Sequence, residues 1–165
     1  MTARPDPSWA QYPCTVLEIH SAVPPGSGAS GVIQVDLRSG LTESIARQLR
    51  SLGLGDRWAV VTAYNPHGRD RSPDGNEARQ EKLIATVRAS GVPFLRADGR
   101  SPDASHREVG LAVALPQPGA VALAARFGQS AIFWFDGEGF WLVPAATPAE
   151  PVRLPVVESG EARST

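Results

Sequence analysis

The sequence predicts a single α+β domain: a two-layer sandwich with a ferredoxin-like split-βαβ core (βαββαβ) and additional N- and C-terminal strands. Two observations predict it. From Trp58 onward the periodic segments come in the order strand, helix, strand, strand, helix, strand, which is the order of that core. The chain has 165 residues, 42% apolar and 20% charged, which suits one domain with one core. The expected organisation is an N-terminal arm over residues 1–13, one domain over 14–146 and a mobile tail over 147–165.

The arm is polar and holds three prolines. Residues 15–20 read as a strand with Leu17 and Ile19 on one face, and 32–37 alternate with Ile33, Val35 and Leu37 together. The Gly-, Pro- and Ser-rich stretch 21–30 makes these a long-looped hairpin. Residues 42–52 predict a helix with Thr42 as N-cap, Ile45, Leu49 and Leu52 at helical spacing, and Gly53 as the stop. The apolar run 58–64 lacks strict alternation, as befits a central strand buried on both faces. A polar loop, 65–73, leads to a second helix over 74–90, capped by Ser72 or Asp74 and ended by Gly91 and Pro93. A short strand over 93–97, a loop over 98–105 and a strand over 108–115 follow. An alanine-rich helix, 119–127, is closed by Gly128. Residues 131–135 and 140–143 form a hairpin around Asp136-Gly137-Glu138-Gly139.

Composition narrows the function classes. The net charge of -1 gives no basic excess for nucleic acid or anionic membrane. No apolar run approaches the ~20 residues of a membrane helix, and the N-terminus has no apolar signal region, so a cytoplasmic protein is expected. The Pro, Gly, Ala and Arg content points to a GC-rich bacterial source. The single cysteine, Cys14, excludes an intrachain disulfide and reads as a small buried apolar residue.

Chain direction brings the unusual polar residues together. If the strand at 58–64 runs upward, the loop at 65–73, the turn at 98–105 and the helix end Phe127-Gly128-Gln129 all lie at one sheet edge. Leu83, Ile84 and Val87 mark the buried stripe of the second helix. Asn76, Arg79 and Gln80 continue that stripe toward its N-terminus, facing inward. A helix N-terminus with an arginine suits an anion. Asn65, Asn76, Arg79, Gln80 and Gln129 are therefore the candidate ligand-binding residues. The competing reading is structural: Arg79 pairs with a carboxylate such as Glu108, and Asn76 ties down a loop. His106 and Glu108, two apart at a strand start, share a face and are the candidate acid–base residues.

No metal site is predicted. His20, His67 and His106 are scattered, and Asp70, Asp74, Asp98 and Asp103 read as solvated loop acids. Trp134, Phe135, Phe140 and Trp141 offer a stacking platform for bases on paper, but without basic neighbours they read as core and hairpin residues. No cofactor motif is present, and the oligomeric state is left open.

Several of these residues form a recognisable series. Thr62-Ala63-Tyr64-Asn65-Pro66, Asn76-x-x-Arg79-Gln80-x-x-Leu83, Gly99-Arg100-x-Pro102-Asp103, Glu108, and Arg126-Phe127-Gly128-Gln129-x-Ala131-Ile132 together resemble the bacterial family called domain of unknown function 3293, over about residues 14–143. The resemblance implies a small cytoplasmic α+β protein and brings no established reaction. It also marks departures. The family usually carries Glu-Asn at Gly75-Asn76, Trp near His106, and Gln-Asn at Gln129-Ser130. Relatives with Trp there weaken His106 as a base. The expected function is binding of a small anionic or nucleotide-like ligand, with enzymatic activity an open extension. A non-catalytic interaction module and a nucleic-acid-processing protein are the alternatives.

Overall fold

The computed structural model describes residues 9–21, 31–66, 69 and 71–156. His67, Asp70 and most of the 21–30 stretch lie outside the described residues. Eight strands form one sheet: β1 (Val16–His20), β2 (Val32–Asp36), β3 (Trp58–Thr62), β4 (Phe94–Arg100), β5 (Arg107–Val113), β6 (Ala131–Phe135), β7 (Phe140–Pro144) and β8 (Val152–Leu154). Their order is β2-β1-β4-β5-β3-β6-β7-β8, and every neighbouring pair is antiparallel. Three helices accompany them: α1 (Glu43–Arg50), α2 (Pro73–Ser90) and α3 (Gln117–Arg126).

This overturns the two-layer, ferredoxin-like sandwich. The fold is β-rich, a single antiparallel sheet curled into a half barrel. The outer strands are not accessories to a four-stranded core. β1 continues the sheet beyond β4, and β7 and β8 continue it beyond β6. A twisted sheet this wide coils. Val35 of β2 and Leu154 of β8, from opposite ends of the strand order, accordingly enter the same apolar cluster. Leu49 of α1 completes that cluster, together with Leu17, Ile19, Trp58, Val60, Phe135 and Phe140. The concave face thus closes largely on itself around α1. The convex face is covered by α2 and α3, whose Leu83, Val87, Ala120 and Ala124 meet Ala59, Val61, Leu111 and Val113.

Period-two alternation in β3 explains the two cores. Trp58 and Val60 point to the concave side, and Ala59 and Val61 to the helices. Caps set the helix limits. Thr42 Oγ1 accepts from Ile45 N at 3.2 Å, and Ser72 Oγ accepts from Gly75 N at 3.1 Å. Gly91, at φ 74°, ends α2. Of the four aromatic residues weighed as a stacking platform, Trp134, Phe135 and Phe140 are buried in the core. Near the N-terminus, Trp9–Cys14 forms a 3₁₀ turn, with Trp9 and Tyr12 packed against the concave core. Cys14 is exposed, contrary to its expected burial, because it ends a turn none of whose residues is buried.

β4 and β5 present small residues to the concave face. Ala97, Gly99, Gly110 and Ala112 take the alternate positions that Glu108 also occupies. A Cβ at Gly110 would lie 2.7 Å from the Val61 carbonyl oxygen and 2.9 Å from that of Ala97. Gly110 therefore permits the close approach of β3, β5 and β4. Small side chains along this stretch leave a hollow in the concave face.

Candidate functional site

The exit of β3 is tied down residue by residue. Thr62 Oγ1 donates to the Val109 carbonyl at 2.8 Å and accepts from Tyr64 N at 3.1 Å, which ends the strand. The Ala63 carbonyl accepts from Arg79 Nε at 2.8 Å, and Arg79 Nη2 donates to the Phe127 carbonyl. The Tyr64 carbonyl accepts from Gln129 Nε2 at 3.0 Å. Asn65 adopts φ 46°, a left-handed conformation that asparagine tolerates better than most residues.

From that position Asn65 meets α2 and β5 together. Its N–H donates to Asn76 Oδ1 at 2.9 Å, and Asn76 Nδ2 donates back to Asn65 Oδ1 at 2.9 Å. Arg71 N also donates to Asn65 Oδ1, at 3.0 Å. Backbone N–H groups can only donate, so the two that reach Asn76 and Asn65 determine which end of each amide is oxygen. The Asn65 amide nitrogen must then face Glu108, and it donates to Oε1 at 3.0 Å. Glu108 is held as an acceptor by an amide whose orientation is itself locked. His106 Nε2 lies 3.4 Å from the same oxygen.

Glu108, three-quarters buried, opens onto a groove of about 800 Å³ in the concave face. Leu17, Val60 and Ala97 supply apolar floor. Tyr12 and Phe133 form one wall, with ring centroids 6.1 Å apart and planes at 85°. Thr62, Asn65, Gln129 and Ser130 line it near Glu108, and the turn after β4 adds Ser101, Asp103 and Ser105. Asp103 accepts from the Ser105 backbone and from the Ser101 and Ser105 hydroxyls, which lowers its pKa to about 2.

The predicted residues divide into two sets. Asn65, His106, Glu108 and Gln129 line the groove. Asn76, Arg79 and Gln80 do not; they lie on the helix side. Asn76 and Gln80 are buried, as their helical phase indicates. Asn76 orients Asn65. Arg79 is paired neither with an anion nor with Glu108: its guanidinium holds the ends of β3 and α3 together through two carbonyls. Gln80 is enclosed, with neither amide atom hydrogen-bonded. Sequence reasoning missed Tyr12, Thr62, Phe133 and the serines. Tyr12 sits in a Pro-rich arm, and Thr62 looks like part of an apolar run. Only its spacing of two from Val60 within a strand places Thr62 on the same face.

A second polar cluster lies on the opposite face of β1, β4 and β5. Asp98, expected in a solvated loop, is fully buried within β4. Pairing with β1 and β5 carries that strand on to Arg100. Arg96 Nη2 and Arg107 Nη1 reach Asp98 Oδ2 at 2.8 and 3.0 Å, and Arg107 Nη2 and Arg100 Nε reach Glu18 Oε1 at 2.7 and 2.9 Å. Burial acts to raise the Glu18 pKa, but the hydrogen bonds and charges of Arg107 and Arg100 outweigh it and leave it lowered. Among the described residues no three His, Cys, Asp or Glu side chains converge as a metal site. No described helix is long and apolar enough to cross a membrane.

Fold and site together define a small β-rich half-barrel protein with a polar-ended groove on its concave face. Residues 61–132 match the family model described as "Protein of unknown function (DUF3293)", which supports the resemblance read from the sequence. The match runs from the middle of β3 into β6, so it includes Asn65, Asn76, Arg79, Glu108 and Gln129. No curated protein and no solved structure matches the chain.

Proposed function

We propose that the concave groove is a small-molecule site of nucleotide-like size, with Glu108 at its polar end. The observation that carries this is the Asn76–Asn65–Glu108 chain, in which two locked amides orient one carboxylate toward a hollow. A cavity of about 800 Å³ lies in the range of ligand sites, which combine apolar walls with a few oriented polar groups. The His106–Glu108 pair extends the proposal to chemistry, because an imidazole and a carboxylate in contact can pass a proton to or from a bound substrate. An interaction module would need an exposed apolar patch. The exposed large apolar residues among those described are two valines, Val32 and Val156, too few for such a patch.

The test is a thermal-shift screen of nucleosides, nucleotides and metabolites, with each hit repeated on Glu108→Ala. Hits that stabilise the native chain and lose their effect in the variant support the proposal. A screen in which nothing stabilises the protein, and no groove amide resonance moves at millimolar compound, overturns it.

A further inference from the structure

We propose that the groove selects a planar, hydrogen-bond-donating ligand without negative charge, of the nucleoside class and not the nucleotide class. This rests on the groove being a small-molecule site and adds the chemistry of its occupant. The charges facing the groove are the first argument. Glu108 and Asp103 both line it, and Asp103 stays ionised because three donors hold it. Among the described residues the one arginine of the lining, Arg100, turns its guanidinium to the outer face. Its Nε donates to Glu18 Oε1 at 2.9 Å, and its Nη1 donates to the Ser101 and Pro102 carbonyls at 3.1 and 3.3 Å. His106 faces Glu108. Among the described residues of the lining, a phosphate or carboxylate entering here meets two carboxylates and no uncommitted guanidinium.

The expected anion anchors are elsewhere. Arg79 bonds two backbone carbonyls and does not line the groove, and none of residues 72–76 at the start of α2 lines it either. The donors of that helix end, which would have favoured an anion, are therefore not directed at the cavity. What the groove offers instead is acceptors at one end and aromatic edges at the other. A carboxylate held by a fixed amide accepts from hydroxyl or amino groups, the role an acidic side chain plays toward ribose hydroxyls in dinucleotide sites. The Tyr12–Phe133 wall and the Leu17, Val60 and Ala97 floor suit a flat ring.

The experiment measures matched pairs on the full chain by calorimetry and amide-resonance titration: adenosine against its 5′-monophosphate, cytidine against its 5′-monophosphate, and benzylamine against benzoate. In each pair the member without negative charge is expected to bind at least tenfold tighter. Glu108→Gln keeps an acceptor for Asn65 and removes the charge, so it should fold normally and weaken adenosine at least tenfold. Asp103→Asn should narrow the adenosine–monophosphate gap. A monophosphate that binds as tightly as its nucleoside, or adenosine binding untouched by Glu108→Gln, overturns the inference. A parallel titration with neutral aromatic fragments separates the two levels. Fragments that shift groove amides while the pairs show no charge preference leave the groove reading standing and sink the selectivity. Silence from both sets sinks both.

Discussion

The two faces of β4 and β5 carry polar clusters built on opposite principles. On the outer face, Asp98 and Glu18 are bracketed by Arg96, Arg100 and Arg107 in a closed set of ion pairs. On the concave face, a carboxylate is held by amides and turned toward a cavity. Ion pairs satisfy each other and need nothing further. Amides, which carry no charge of their own, orient a carboxylate by hydrogen bonds alone. The difference teaches where stability and where binding should respond to substitution.

The largest expected effect is on the outer face. Asp98→Ala leaves Arg96 and Arg107 facing a pocket with no carboxylate, and should destabilise by about 3 kcal/mol in urea unfolding. That is the lower part of the range for a broken buried pair, because both arginines are about half exposed. Ligand affinity should not change. A loss of binding without a loss of stability would break the division between faces.

Next is Asn65→Asp. It replaces the amide nitrogen that donates to Glu108 with an oxygen 3.0 Å away from another carboxylate oxygen. A loss of about 2 kcal/mol is expected at neutral pH, recovered in part as pH falls toward about 4, because two crowded carboxylates take up a proton above their ordinary range. Urea midpoints at pH 7 and pH 4 would show a smaller gap from the native chain at the lower pH.

Arg79→Met should come third, at about 1–2 kcal/mol, because it removes two hydrogen bonds to half-buried carbonyls. Here the comparison is sharpened on binding: groove ligands should keep their affinity. A tenfold loss with unchanged stability would return Arg79 to the ligand site.

The smallest effect is in acid. Glu18, Asp36 and Asp136 have lowered pKa values, and Asp103 sits at about 2 against an ordinary 3.8. Groups depressed on folding stabilise the native state above their unfolded pKa values, and that stability is lost as pH falls through the folded ones. Melting temperature should therefore be level above about pH 5 and decline between about pH 4.5 and 2. Glu18→Gln should flatten part of that decline.

How much was legible can be judged from particular residues. Leu49, Leu83 and Val87 declared their buried faces by helical spacing, and Asn76 and Gln80 followed by phase. Thr42 declared a helix start and Ser72 was one of two candidates for another, because a cap is a local bond. Asp98 was misread: its burial depends on Arg96 and Arg107, and Arg107 comes from a different strand. Arg79 was placed on the correct side of its helix, but its partners are backbone carbonyls, which carry no residue-type signal. Tyr12 gave no sign of its role, since a Pro-rich arm looks the same whether or not it folds back.

The sequence by itself determined the three helices and seven of the eight strands, though not β8 within the expected tail or the turn over 9–14, because periodicity and capping are set by neighbours a few positions apart. It also brought the exit of β3, the turn after β4 and the end of α3 to one edge, since chain direction follows from element order. Only the tertiary structure decided that eight strands join one curled sheet, because strand partners are chosen by long-range pairing and by the coil of a wide, twisted sheet. It alone decided that the amides of Asn65 and Asn76 lock Glu108 toward a groove while Arg79 closes on carbonyls. Those outcomes depend on which donors and acceptors arrive from distant segments.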